Sequence, residues 1–133
     1  MTTDKVATLR IETASSAQQK GADYMLQVKD NQKSLHEEIA GYFHKVKRDD
    51  PARIIANQIS DLDGEHGGIV HRQYTMLPID KWISSIDKWE GAQHTVEVVI
   101  TQELEGNENT ADTSYYLTSL EHHLTEMARV IRG

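Results

Sequence analysis

The sequence predicts an α+β protein: a mainly antiparallel sheet of roughly four to six strands with about three helices, within the usual size of a sheet. Two patterns carry that reading. Leu35, Ile39, Phe43 and Val46 recur at the spacing of one helical face. His94 to Leu104 alternates like a half-buried strand, and after a polar connection Ser114 to Leu117 returns as its antiparallel partner. With 133 residues the chain is expected to form a single domain, 1–133, large enough to bury a core.

Taken in order, Val6, Leu9, Thr13, Ala14 and Ala17 share a helical face, and Gln18-Gln19-Lys20 before Gly21 reads as its stop. Tyr24 to Val28 is a short strand, and Lys29 to Gln32 a polar turn. Ser34-Leu35-His36-Glu37 has the spacing of a capping box, so the central helix is expected to begin there. Lys45, Lys47 and Arg48 form the densest basic cluster and suit the last turn of that helix, with Pro51 beyond it. The cluster reads as a solvated helix end rather than a phosphate site.

Ile54 to Ile59 reads as a strand and Ser60 to Gly68 as a glycine-rich hairpin connection. Asp61, Asp63 and Gly64 resemble a calcium loop in part, but the twelfth position from Asp61 is Arg72 where such a loop needs Glu. Ile69 to Leu77 is a strand with Tyr74 and Met76 on one face. In Pro78 to Trp89, a short helical or turn segment, Trp82, Ile86 and Trp89 have the spacing to close over a core. Glu105 to Asn109 is the turn-rich connection to the returning strand. Leu120, Leu124, Met127, Ala128 and Ile131 mark a C-terminal amphipathic helix. The expected core is Leu26, Phe43, Trp82, Val98, Ile100, Tyr116 and Leu124.

Twenty-one acidic residues against 14 basic give a net charge of −7, which disfavours stand-alone DNA binding because phosphate contacts supply most of that affinity. There is no cysteine, so disulfides, zinc thiolates and a thiol nucleophile are excluded. The absence of a long apolar run or a signal-peptide pattern suggests a cytoplasmic protein with no membrane partner. Seven histidines are scattered without a zinc-helix signature, and no P-loop, dinucleotide fingerprint or nucleophile elbow occurs.

The segment GADYMLQVKDNQKSLHEEI, from Gly21, resembles the pattern Gly-(Gly/Ala)-Asp-Tyr-x-(Leu/Phe)-x-x-Lys-x-Asn-Gln-x-x-Leu of the H-repeat-associated insertion-sequence transposases. Further pieces follow in the same order. These are His66-Gly67 then Arg72, Trp89-Glu90-Gly91, Tyr115-Tyr116-Leu117-Thr118-Ser119-Leu120, and Ala128-Arg129-Val130-Ile131-Arg132-Gly133. The likeness spans roughly Gly21 to Gly133. It implies part of a ribonuclease H-like core followed by a β-rich insertion, in a DDE-type enzyme that moves DNA with two magnesium ions held by three carboxylates.

The resemblance places the second catalytic Asp near Asp4, but the family's flanking Asp-Ala and downstream Gln are not reproduced. Asp4 therefore reads as a helix-cap or chain-terminus residue, and no other catalytic, cofactor-binding or metal residue is assigned. The family's first Asp would lie upstream and its Glu beyond Gly133. The expectation is thus a transposase-derived fragment, inactive alone, binding DNA weakly or only within a full-length parent. The alternative from another class is an acidic interaction or self-associating module. A third is a metal-dependent nuclease using Asp61, Asp63 and Glu65. If Tyr24 to Val28 is a former central strand of a ribonuclease H-like sheet, its natural neighbours are missing and the open edge favours a homodimer or a domain swap.

Overall fold

A computed structural model of the chain describes residues 23–29, 32–64, 68–79, 81–84, 89, 91–104 and 110–132. The expected N-terminal helix, Asp4, the Glu105 to Asn109 connection, Ile86 and Glu65 lie outside the described residues. The elements are β1 (Met25–Val28), α1 (Lys33–Asp49), α2 (Pro51–Ala56), β2 (Gln58–Asp63), β3 (Gly68–Pro78), β4 (His94–Leu104), β5 (Thr110–Thr118) and α3 (Leu124–Arg132). The five strands form one antiparallel sheet in the order β1-β5-β4-β3-β2. The α+β class stands. The described helices nonetheless include α2, which the sequence reading did not contain.

Side chains alternate across the sheet, so each face has its own core. On one face α1 buries Leu35, Ile39, Phe43 and Val46 against Leu26, Val28, Leu77, Tyr115 and Leu117. The other face carries Met25, Tyr74, Met76, Val96, Val98 and Tyr116 under Met127 of α3. Helices thus lie on both faces of a single sheet. The chain joins its two ends through β1, whose four residues pair with Tyr115 to Thr118 of β5.

Several local expectations are corrected. α1 starts at Lys33, with Gln32 at its cap and no side-chain cap bond, so Ser34 lies inside the first turn and the capping box does not form. Instead the Gln32 side chain accepts from the Lys29 N–H at 3.3 Å, closing the preceding turn. Ile54 to Ala56 is helical rather than extended. Asp50 accepts the Arg53 N–H at 3.3 Å and Pro51 occupies the first helical position, a start signal that outweighs the β-branched pair Ile54-Ile55.

The strand therefore begins at Gln58 and runs through Asp63, shortening the expected hairpin connection. Trp82 is 49% exposed, and Ile83 is the residue from that turn that enters the core beside Trp89. Ile100 is 38% exposed, and Leu124 is half-buried while Met127 fills the core. Leu26, Phe43, Val98 and Tyr116 are buried as expected.

Candidate functional site

One convergence of polar groups lies where α1 covers the sheet. β4 turns Glu97 inward between Val96 and Val98, onto the face that α1 covers, and leaves it 3% exposed. An ionised carboxylate in that position needs partners, since removing a charge from water is costly. It has two. Lys47 Nζ from the last turn of α1 lies 2.5 Å from Oε1, and the Tyr115 hydroxyl of β5 donates to Oε2 at 3.0 Å.

Glu97 and Tyr115 are direct cross-strand partners, so the register itself brings them together. Burial, then the Glu97 charge, then this hydrogen bond raise the Tyr115 pKa far above that of a free phenol. His36 meets the Tyr115 ring edge-on at 5.3 Å between centroids. Ala40, Gly41, His44, Lys47, Glu97 and Tyr115 line a cleft of about 380 Å³ beside the cluster. The arrangement balances its charge internally: carboxylate, ammonium and a phenol held protonated.

The remaining basic residues of that helix end are also met by acids. Arg48 Nε bonds Asp49 at 3.0 Å, and Lys45 Nζ lies 3.7 Å from the same carboxylate. The cluster that the sequence read as a solvated helix end is therefore a set of ion pairs, two at the surface and one reaching into the sheet.

Gly41 also lines a second, shallower cleft of about 660 Å³ with Ser34, Glu37, Glu38, Trp82 and Ser84. Glu38 accepts from the Ser84 N–H at 3.0 Å and from its hydroxyl, which fastens the turn to α1. A Cβ built on Gly41 would stand 3.6 Å from Trp82 Nε1, so the indole lies close to the helix. Lys45 Nζ sits 5.6 Å from the centroid of that ring, within cation–π range.

At the β2 edge, Asp61 and Asp63 project from the same face. Arg72 of β3 and Arg132 of α3 each lie 3.3 Å from Asp61, and Arg132 also reaches Asp63 at 3.5 Å. The two carboxylates tie a strand to the end of α3. Both belong to the acids weighed for a metal-dependent nuclease, and each is paired with a guanidinium group.

The fourth group lies at the end of β1. Asp23, Gln93, Ser119, Leu120, Glu121, His122, His123 and Glu126 surround a pocket of about 360 Å³. Its polar side chains do structural tasks. His123 Nδ1 accepts the Glu126 N–H at 3.1 Å, which caps α3. His94 donates from Nδ1 to the Leu120 carbonyl at 2.9 Å, and burial holds its pKa below the ordinary imidazole value. Among the described residues no set of three or more His, Asp or Glu is placed to hold a metal ion, and no helix is long and apolar enough to cross a membrane.

Sequence reasoning had singled out Asp61, Asp63 and the basic residues Lys45, Lys47 and Arg48. It missed that Lys47 closes on Glu97 and Tyr115, because those groups come from three elements. The available signal was Glu97 itself, a charge alternating between valines of the clearest strand. No protein-family model matches the chain, and no curated protein or solved structure matches it significantly.

Proposed function

We propose that the chain is a fragment derived from a DDE-type transposase of the H-repeat-associated family, keeping part of the scaffold and performing no DNA cleavage alone. One observation carries the reading. Two segments of the resemblance, starting at Gly21 and at Tyr115, meet in space as β1 and β5. Tyr24 and Asp23 from the first are hydrogen-bonded to Thr118 and Ser119 from the second. That pairing gives a physical reason for both segments to occur, in order, in one chain.

The carboxylates support the non-catalytic part of the reading. Two-metal phosphoryl transfer uses acids left open to clamp both ions. Here Glu97 is bonded to Lys47 and Tyr115, and Asp61 and Asp63 to Arg72 and Arg132. With a charge of −7, the chain alone attracts DNA weakly at physiological salt. A cytoplasmic setting and association with a second copy belong to the same reading.

The test incubates the purified chain with supercoiled DNA and magnesium or manganese, beside an Asp4→Ala variant. No nicking is expected from either. Metal-dependent nicking by the unaltered chain that disappears in Asp4→Ala, or in a variant of another carboxylate, overturns the reading in favour of a nuclease. Ancestry has its own test: the flanking DNA is expected to encode the missing Asp and a His-Trp-x-x-Glu segment.

A further inference from the structure

We propose that the open cleft between α1 and the turn at Lys81 to Ser84 is a docking site for the lysine or arginine side chains of a basic peptide. The inference is independent of the ancestry proposed above. It starts from Trp82, a large apolar ring left 49% exposed, whereas the other tryptophan, Trp89, is 6% exposed and belongs to the core. An exposed indole on a soluble surface marks a contact site more often than an isolated aliphatic side chain does. Trp82 is also held in position: its Nε1 lies close to α1 at Gly41, and Ser84 two residues later is fastened to Glu38.

The chemistry around the ring selects the ligand. Lys45 Nζ at 5.6 Å shows that the ring already collects an ammonium group, on a side chain whose charge has a second partner in Asp49 at 3.7 Å. Glu37 and Glu38 line the same cleft, so an aromatic face and two carboxylates converge on one space of about 660 Å³. A lysine or arginine laid across Trp82 would pack its methylene stem on the indole and direct its charge toward Glu37. Lys45 can give up the ring and keep Asp49.

Nucleic-acid bases also stack on exposed aromatics, but the phosphates that come with them would meet Glu37, Glu38 and a net charge of −7. Charge complementarity therefore favours the basic peptide.

The two tryptophans make the test direct. Their indole N–H signals are followed by nitrogen-15 NMR, assigned with a Trp82→Phe variant. The probe is a capped peptide of alternating lysine and glycine; its controls are the same peptide with every lysine acetylated and a single-stranded oligothymidylate. The Trp82 signal is expected to shift saturably with the lysine peptide while Trp89 stays in place, and both controls should leave Trp82 unmoved. Glu37→Gln, on an exposed helix face, is expected to weaken binding about two- to fivefold, the range of an exposed charge pair. Trp82→Ala, which has no Trp82 signal and is read by isothermal titration calorimetry beside the unaltered chain, is expected to weaken it at least about fivefold, since it removes cation–π attraction and packing together. Equal shifts with the acetylated peptide, a response only to the oligothymidylate, or unchanged affinity in both variants would overturn the proposal.

Discussion

Tyr24 and Ser119 hydrogen-bond to each other in both directions across 95 residues of sequence. The Tyr24 N–H donates to Ser119 Oγ at 2.8 Å, and the Ser119 N–H donates to the Tyr24 carbonyl at 3.1 Å. Ser119 Oγ in turn donates to Asp23, and Thr118 Oγ1 donates to the same Tyr24 carbonyl at 2.8 Å. A strand of four residues is short for independent stability, so these bonds extend the β1–β5 ladder by side chains where the backbone register ends.

Ser119→Ala removes the acceptor of a buried backbone N–H, and a buried donor left without one costs about 1–3 kcal/mol. Denaturant unfolding should show that loss in the midpoint with the slope unchanged. Asp23→Asn, at an exposed position, is expected to stay within about 0.5 kcal/mol of the unaltered chain. Equal effects of the two would mean that the serine does not hold the strand.

Phe43 and Trp82 make an opposed pair. Phe43 is fully buried, with the Tyr115 ring 5.8 Å and the Tyr42 ring 5.9 Å away, so Phe43→Ala should destabilise by about 3–5 kcal/mol. Trp82 is half out of the fold, and Trp82→Ala should cost about 1 kcal/mol or less, the scale of a surface change. Thermal or urea unfolding of both variants checks the ranking. A loss below about 1 kcal/mol for Phe43→Ala would mean that the buried face of α1 is wrongly identified.

The sequence made the elements with strong periodicity legible. β4 begins and ends at His94 and Leu104 as its alternation indicated, and the α1 face of Leu35, Ile39, Phe43 and Val46 is the buried one. Where two local signals competed, periodicity misled. Ile54-Ile55 suggested a strand, yet the Asp50 cap and Pro51 start a helix three residues before Ile54. The spacing of Trp82, Ile86 and Trp89 suggested one helical face, but residues 81 to 84 form turns and deliver Ile83 inward instead.

The clusters at Glu97 and at Asp61 were least legible for a different reason. Each joins residues from three elements, and their meeting is set by sheet register and helix placement rather than by spacing along the chain.

Tyr115, Tyr116 and Tyr74 all have pKa values raised above that of free tyrosine, in each case chiefly by burial; for Tyr115 the Glu97 charge adds to it. The folded state thus resists ionisation that the unfolded chain accepts. Stability is fully present below about pH 10, the unfolded value, and is lost as pH rises through that point toward the raised folded values. Unfolding titrations across the alkaline range should show this fall, and ultraviolet absorbance of tyrosinate should show the delayed ionisation. Glu97→Gln removes a carboxylate charge facing Tyr115. The Tyr115 phenol of the folded variant should then ionise at lower pH, though still above the free value because burial remains. An unchanged titration would remove Glu97 from the account.

The last prediction concerns the outer strands. Among the described residues β1 pairs only with β5 and β2 only with β3, which leaves one backbone edge of each open to another chain. β2 is the better template. It is six residues long to the four of β1, contains neither proline nor lysine to block pairing, and carries Leu62 at 71% exposure.

A two-fold axis normal to the sheet would pair β2 with its copy antiparallel, with residues of the same face opposite each other. Centred on Ser60, that register sets Ile59 against Asp61 and Gln58 against Leu62, so no aspartate meets an aspartate. Arg72 and Arg132 already neutralise the local acids, which lowers the repulsion between two copies of an acidic chain. Light scattering during size-exclusion chromatography should find a concentration-dependent dimer. Ser60→Pro, which removes an edge donor, and Leu62→Lys, which places a charge on the edge strand, should both shift it to monomer while circular dichroism stays unchanged. A strict monomer at high concentration, or a dimer that both variants retain, would rule out this edge.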